Sequence, residues 1–457
     1  MDAYGTLFRS VLYPAYESVL RGRPTLARLD YLERTQWRSA DELASIQSGA
    51  LQRLLKHAFA HVPFYRQRFE AAGLTPSDIR TVEDLQKLPL LTRAEASASS
   101  EARRSSAPPL PTIRKSTSGS SGAPLTFAYD EGSEYWRQAV KLRGYAWAGY
   151  KLGDRTLHYW GPPPRGTAQP SRQQLKVAVD RLLRRETYLD CTARNEAYML
   201  RVVDTIRRET PRALICFSQS GGELARFINE RGLRDWGTIP VLCGAEQLYP
   251  QDRAELERAF GPAVFETYGA REVMLIASEC EAHDGLHVAM ENILVEIVVT
   301  EPDGRTRAAR PGERGEVVVT DLHNFGMPFL RYANGDLAVA GSAARCACGR
   351  LLSRLSSIEG RKTDTLRDGQ GGRVSGLVVN TIMVPHAEAI RRFQCIQHKD
   401  LSITLKLVPT PRFHGRVEQN VLENMKLRIP GVPIRVELVD EVDASATGKR
   451  RPVVVEA

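Results

Sequence analysis

Between residues 131 and 345 short apolar runs alternate with stretches of helical periodicity, and this alternation limits the fold more than any other feature of the chain. The runs are LICFSQ (214–219), VLCGAE (241–246), AVFETYG (263–269), ILVEIVVT (293–300) and GEVVVTDL (315–322). Runs of this length, rich in Val and Ile and separated by helical segments, read as buried strands of a layered α/β domain. After Arg361 the pattern changes to a small α+β unit whose strands are FQCIQ, SITLKLV and IRVELV. A chain of 457 residues is long for one core. The expected division is an N-terminal domain over 1–360, helical in its first 110 residues, and a C-terminal domain over 361–457.

In the helical part, Leu7, Phe8, Val11, Leu12, Tyr16, Val19 and Leu20 recur at a spacing near that of a helix, up to an Arg-Gly-Arg-Pro break. Such an amphipathic helix buries a face on its own domain or on a second subunit, making a homodimer in the latter case. It is not notably cationic, which weighs against docking on a membrane surface. Residues 40–75 read as helices ending in a Gly-Leu turn, and 82–107 end in a Ser/Ala/Pro-rich loop. No run of about eighteen apolar residues occurs and the N-terminus lacks a signal-peptide layout, so a cytoplasmic protein without a transmembrane segment is expected. The seven cysteines are odd in number and dispersed, which argues for reduced thiols over a disulfide framework. The net charge of +9 is spread through short runs such as RLLRRET (181–187), with no basic stripe interleaved with aromatics. That excludes a nucleic-acid partner and suits anionic small molecules.

The stretch KSTSGSSGAPLTF (115–127) crowds hydroxyls and glycines into a turn between two segments that read as strands. Gly119 and Gly122 let the backbone approach an anion, Thr117, Ser118, Ser120 and Ser121 offer hydroxyls, and successive N–H groups can form an anion nest. Lys115 precedes the glycines, so this is not a Walker A loop. Alone, such a run reads equally well as a surface loop. Three further segments follow it in order: FETYGAREV (265–273), MPFLRYANGDLA (327–338) and EGRKTDTL (359–366), with ATGKRR (446–451) near the end. YGAREV follows the strand AVFE, and the carboxyl ends of strands are where open α/β sheets bind ligands.

From about residue 110 onward this ordered set resembles the adenylate-forming superfamily of acyl- and aryl-CoA synthetases. LLKHAFAHVPFYRQRF (54–69), LHNFGMPFLRYANGD (322–336) and CACGR (346–350) are most similar to its phenylacetate-CoA ligase branch, with the capsule-biosynthesis and coenzyme F390 synthetase-like members. The resemblance implies a large layered N-terminal domain and a small C-terminal lid that rotates about a hinge. It implies carboxylate activation with ATP and Mg²⁺ to an acyl adenylate, then transfer to CoA, or in the alternative to an amine or hydroxyl. By the same resemblance the Ser/Gly turn holds the β- and γ-phosphates, Tyr268 and Gly269 border the adenine with Ala245 and Glu246, and Glu272 orients Mg²⁺. Asp336 would accept from the ribose hydroxyls, Arg361 would contact ribose or phosphate, and Lys449 would reach the α-phosphate. Singly, each has a plain structural reading: Tyr268 a strand-end core residue, Glu272 a charge at a helix N-terminus, Asp336 a turn former, Lys449 a solvated tail charge. A degenerate adenylate-binding scaffold would have lost Lys449 or Asp336, and both are present. The chain departs from the family pattern at Leu125, where a lysine is common, at Arg271, where Thr or Ser is usual before the glutamate, and at Thr363 in the hinge.

Cys280 and His283, with Cys346 and Cys348, suit a closed tetrahedral structural Zn²⁺ site, and the same pairing recurs in the branch the chain resembles. His287 is the alternative imidazole, and buried unpaired thiols are the plain alternative. The acyl pocket would draw on LICFSQSGG (214–222), VLCGAEQL (241–248) and the aromatic YWRQAVKLRGYAWAGY (135–150), which slightly favours an aryl or arylalkyl carboxylic acid, although aromatics at helical spacing are also core formers.

Overall fold

The apolar runs of the central region fold into one mixed sheet. The computed structural model describes residues 2–117, 125–161, 172–193, 195–301, 303–361, 365–442 and 451–456. An antiparallel ribbon of β1 (Thr112–Ser116) and β2 (Thr126–Asp130) precedes the sheet. The sheet contains β3 (Thr156–Trp160), β4 (Glu186–Asp190), β5 (Ala213–Phe217), β6 (Val241–Gly244), β7 (Val264–Ala270), β8 (Met274–Glu279) and β9 (Leu286–Val288). It continues with β10 (Ile293–Thr300), β11 (Thr306–Ala308), β12 (Arg314–Asp321), β13 (Tyr332–Ala340) and β14 (Arg354–Arg361). The strand order is β11-β10-β12-β13-β14-β9-β8-β7-β6-β5-β3-β4.

From β4 to β7 neighbouring strands are parallel, and helices Glu196–Glu209, Ser218–Glu230 and Pro250–Phe260 make the crossovers. From β7 through β9 the pairing turns antiparallel. The alternation of side chains along each strand builds two layers. Leu214, Cys216, Val241, Cys243 and Val264 pack on the crossover helices with Leu224, Leu256 and Phe260. Ile215, Leu242 and Phe265 point the other way, onto Leu142 of the Glu131–Ala146 helix and onto Phe8 and Tyr13. The layered α/β reading therefore holds.

Helices dominate the first hundred residues. Ala40–His61 starts at a Ser39–Glu42 capping box and buries Leu51, Leu54, Leu55 and Ala58 against Leu294, Leu322 and Leu330. The N-terminal helix differs from its periodicity. Residues Phe8–Leu12 and Ala15–Leu20 wind with i→i+5 hydrogen bonds, Tyr13 N to Phe8 O and Arg21 N to Tyr16 O. These wider turns break the 3.6-residue register. Phe8 and Tyr13 go inward, while Leu7, Val11, Leu12, Val19 and Leu20 remain exposed. No described helix is long and apolar enough to cross a membrane.

Two compact units are present: Met1–Asn334 with Ala338–Ile358, and Gly335–Leu337 with Glu359–Ala457. In the smaller one, β15 (Thr365–Arg367) pairs with β16 (Arg373–Ser375). A four-stranded sheet follows, made of β17 (Ile390–Gln397), β18 (Ile403–Pro409), β19 (Ile434–Leu438) and β20 (Val453–Val455) in the order β19-β18-β17-β20. Val417, Val421 and Met425 of the Gly415–Arg428 helix form its core with Cys395, Leu405 and Leu407.

Candidate functional site

The ribbon β1–β2 ends in a hydrogen-bonded neck. Thr117 N donates to Leu125 O at 3.0 Å, and Leu125 N donates to Thr117 Oγ1, also at 3.0 Å. Leu125, at the position where a family lysine is common, is buried and secures this neck. Ser118, Gly119, Ser120, Ser121 and Gly122 lie outside the described residues, as do the hinge residue Thr363 and Lys449.

Arg93 connects the neck to the glutamate of the YGAREV segment. Its Nη2 donates to Thr117 Oγ1 at 2.9 Å, and its Nη1 donates to Glu272 Oε1 at 2.9 Å and to the Tyr332 hydroxyl at 3.3 Å. Tyr332 in turn donates to Glu272 Oε1 at 3.1 Å. Glu272 is buried, so its charge is offset by a half-buried guanidinium and a phenol. Burial, followed by the charge of Glu272, pushes the Tyr332 hydroxyl well above the ordinary phenol range, which keeps it a donor. Both Oε1 contacts leave Oε2 as the oxygen a Mg²⁺ ion would take. Sequence reasoning missed Arg93; its only local sign is the Thr92–Glu95 capping box at the start of the Arg93–Ala98 helix. Arg271, which precedes the glutamate where Thr or Ser is usual, is exposed, and Arg93 pairs with Glu272.

Glu272 lies in the short turn from β7 to β8. A register shift between Tyr268 and Gly269 and a left-handed Met274 (φ 65°) shape that turn. A Cβ at Gly269 would collide with the Met274 carbonyl oxygen, so only glycine fits. Tyr268 is buried, and its hydroxyl accepts from Asn334 Nδ2 at 2.8 Å.

Next to β7, β6 ends at Gly244, where a Cβ would meet Thr267 Oγ1 at 2.7 Å. Ala245 follows with φ of 66° and is exposed. The carbonyl of Glu246 accepts from Ser218 Oγ at 2.8 Å, and its carboxylate accepts from Gln219 N at 3.3 Å. Ala245, Glu246, Tyr268 and Gly269 thus gather at the carboxyl ends of parallel strands, beside the start of the Ser218–Glu230 helix. In the smaller unit, Arg361 Nε faces Asp336 Oδ1 at 3.5 Å, so the structure pairs these two site candidates with each other.

The aromatic stretch 135–150 contributes largely to packing. Trp136 stacks on His323 with ring centroids 4.1 Å apart, Tyr145 meets Tyr150 edge to face, and Trp147 Nε1 donates to Gln36 Oε1 at 3.0 Å.

The cysteine cluster forms, with one change of ligand. Cys280, Cys346, Cys348 and His287 bring their ligand atoms within 4.8 Å of one another. Cys280 Sγ lies 3.8 Å from Cys346 Sγ, and Cys348 Sγ lies 3.3 Å from His287 Nε2. A tetrahedron with Zn–S bonds of about 2.3 Å has edges of about 3.8 Å, so the donor set fits zinc. His283 is not in the cluster. Its Nδ1 lies 2.9 Å from Glu279 Oε1, one helical turn's spacing away in sequence, and its ring rests on Phe265. His287 instead sits in β9 opposite Arg354, with Nδ1 3.2 Å from the Leu352 carbonyl, the partner that fixes Nε2 toward the thiols. Burial lowers its pKa to about 4, so it is a neutral ligand at pH 7.

Residues 366–456 match the CapK C-terminal domain family. The phenylacetate-coenzyme A ligase of Escherichia coli is 28% identical over 362 residues, covering 75% of this chain and 76% of that one. The phenylacetate-coenzyme A ligase of Thermus thermophilus is 25% identical over 401 residues, covering 84% and 85%. Among solved structures, 2-hydroxyisobutyryl-CoA ligase in its postadenylation state, in complex with R3-HIB-AMP, superposes with a TM-score of 0.72 at 20% identity, covering 93% of this chain and 92% of that one. The chain therefore has the fold of the adenylate-forming CoA ligases, is a sequence relative of the phenylacetate-CoA ligases, and carries a C-terminal region of the CapK type.

Proposed function

We propose that this protein is an ATP-dependent acid–thiol ligase. A carboxylate oxygen of the acid attacks the α-phosphorus of ATP and pyrophosphate leaves, giving acyl-AMP. The sulfur of CoA then attacks the acyl carbon, the thiol proton is lost to solvent, and AMP leaves. The observation that carries this reading is the Arg93 bridge from Thr117, at the neck of the Ser/Gly segment, to the buried Glu272. Positioned cations and hydroxyls at one anion-binding turn are what phosphoryl chemistry requires. The acid is aryl or arylalkyl in this reading, since the sequence relatives are phenylacetate-CoA ligases.

The remaining roles follow the family resemblance. Tyr268 and Gly269, with Ala245 and Glu246, border the adenine; Asp336 accepts from the ribose and Arg361 contacts ribose or phosphate. Lys449 approaches the α-phosphate, and the smaller unit swings about residues 361–364 between the half-reactions. Mg²⁺, held through Glu272, would offset phosphate charge, and Zn²⁺ on the thiol cluster is structural. ATP and CoA as co-substrates, with reduced thiols, suit a cytoplasmic enzyme.

The family resemblance leaves a second reading, in which the acyl group passes to an amine or hydroxyl. Pyrophosphate release with ATP and Mg²⁺, assayed over aryl, arylalkyl, aliphatic and amino acids with and without CoA, tests both. Release with one aryl class together with a CoA-dependent thioester is expected. Adenylate without thioester would move the acceptor to an amine or hydroxyl, and silence across the panel would count against adenylation. Arg93→Met is expected to lower kcat/KM for ATP on the order of 10²-fold by loosening Thr117 and Glu272 together, with partial rescue by Arg93→Lys. An unchanged kcat/KM in the same assay would remove Arg93 from the site.

A further inference from the structure

Between the Thr25–Thr35 and Ala40–His61 helices of the larger unit lies a cavity of about 380 Å³, within the range of small-molecule sites. None of the residues assigned above to nucleotide or metal lines it; from the aromatic stretch 135–150 only Trp136 does. Its walls include Arg28, Tyr31, Ser45, Arg53, Glu291 and His323. Glu291 is already engaged: Arg143 donates to both its oxygens at 2.7 and 3.0 Å, and Thr35 Oγ1 donates at 2.6 Å. Neither Arg28 nor Arg53 has a carboxylate partner among the described residues, and Arg28 Nε is buried with no hydrogen-bond partner among them.

The Arg28 side chain is held in place, its guanidinium 4.3 Å over the Trp136 ring that also stacks on His323. His323 adds no charge, since burial first, and then Arg28 and Arg53, lower its pKa to about 3. Burial and the like charge of Arg53 also depress Arg28. Two guanidinium groups lining one cavity repel each other unless an anion lies between them. We propose that this cavity binds a phosphate group, at a site separate from the one that handles ATP. A phosphate carries about −1.5 to −2 at pH 7 and matches both arginines, whereas a single carboxylate would leave one uncompensated. Guanidinium forks suit phosphate oxygens, and the hydroxyl-bearing residues Tyr31 and Ser45 also line the cavity, one from each helix.

The test is calorimetric titration of the full chain with inorganic phosphate at fixed ionic strength, with AMP saturating the nucleotide site. Saturable binding is expected, weakened at least about tenfold in Arg28→Met and in Arg53→Met and retained in Glu272→Gln. Arg53 is exposed, so its variant reports on the site even where Arg28→Met folds poorly. Glycerol 3-phosphate binding more tightly than phosphate would assign an organic phosphate ester; equal or weaker binding would assign free phosphate. Absence of saturable binding, wild-type binding by Arg53→Met, or succinate binding as tightly as phosphate would each overturn the proposal.

Discussion

Lys449→Ala is expected to slow acyl-adenylate formation by about 10²–10³-fold, the cost of removing one positioned charge donor from a transition state. Negative charge gathers on the bridging oxygen as pyrophosphate departs, and in the proposed mechanism this lysine meets it there. ATP binding should change little, because the Ser/Gly segment, Glu272 and Arg93 belong to other parts of the chain. The half-reactions separate the role from a general loss of fold. Rapid-quench measurement of acyl-AMP from acid and ATP should show the deficit, while chemically supplied acyl-AMP should still pass its acyl group to CoA at a rate near wild type. Normal adenylation by the variant would sink the role given to this lysine; equal loss in both half-reactions would point to misfolding.

The second large effect concerns the thiol cluster. Metal analysis of the purified protein is expected to give about one zinc per chain, lost in Cys346→Ser. Removing a ligand leaves one buried thiol, one half-buried thiol and a buried neutral imidazole around an empty centre. The denaturation free energy should fall by several kcal/mol, comparable to the roughly 2–5 kcal/mol lost with a native disulfide. The structure makes a sharper distinction. His287→Ala should lose the metal, and His283→Ala should keep it, since His283 is turned to Glu279. A metal-free protein of undiminished stability would end the zinc assignment.

What could be read from the residues alone depended on how local the determining interaction is. ILVEIVVT became β10 at the same residues, and the parallel strands β5, β6 and β7 begin within one residue of their apolar runs, because a buried strand declares itself by its own side chains. The Ser/Gly segment lies outside the described residues, but the strands that flank it, Thr112–Ser116 and Thr126–Asp130, were equally legible. The choice between His283 and His287 was not. Cys-x2-His looks the tighter ligand pair, yet it is the pairing of β9 with β14, more than sixty residues on, that turns His287 toward the thiols. Arg93 was silent for the same reason. A lone arginine after a helix-capping threonine looks like a surface charge until the fold brings Thr117 and Glu272 to its two nitrogens. Aromatic content allowed two readings, and Trp136 and Tyr150, buried, with Tyr145, half-buried, follow the core-forming one.

The strand order also sets a schedule for the ribosome. The parallel half, β4-β3-β5-β6-β7, draws only on residues 156–270 and is complete once they have emerged. β9 has β8 on one side, but its other edge waits for Arg354–Arg361, and Cys280 and His287 wait over the same interval for Cys346 and Cys348. At synthesis rates of about 5–20 residues per second, that edge and those thiols stay open for several seconds in every nascent chain. Oxidation or capture of the wrong metal would then strike during this interval, before the finished protein exists.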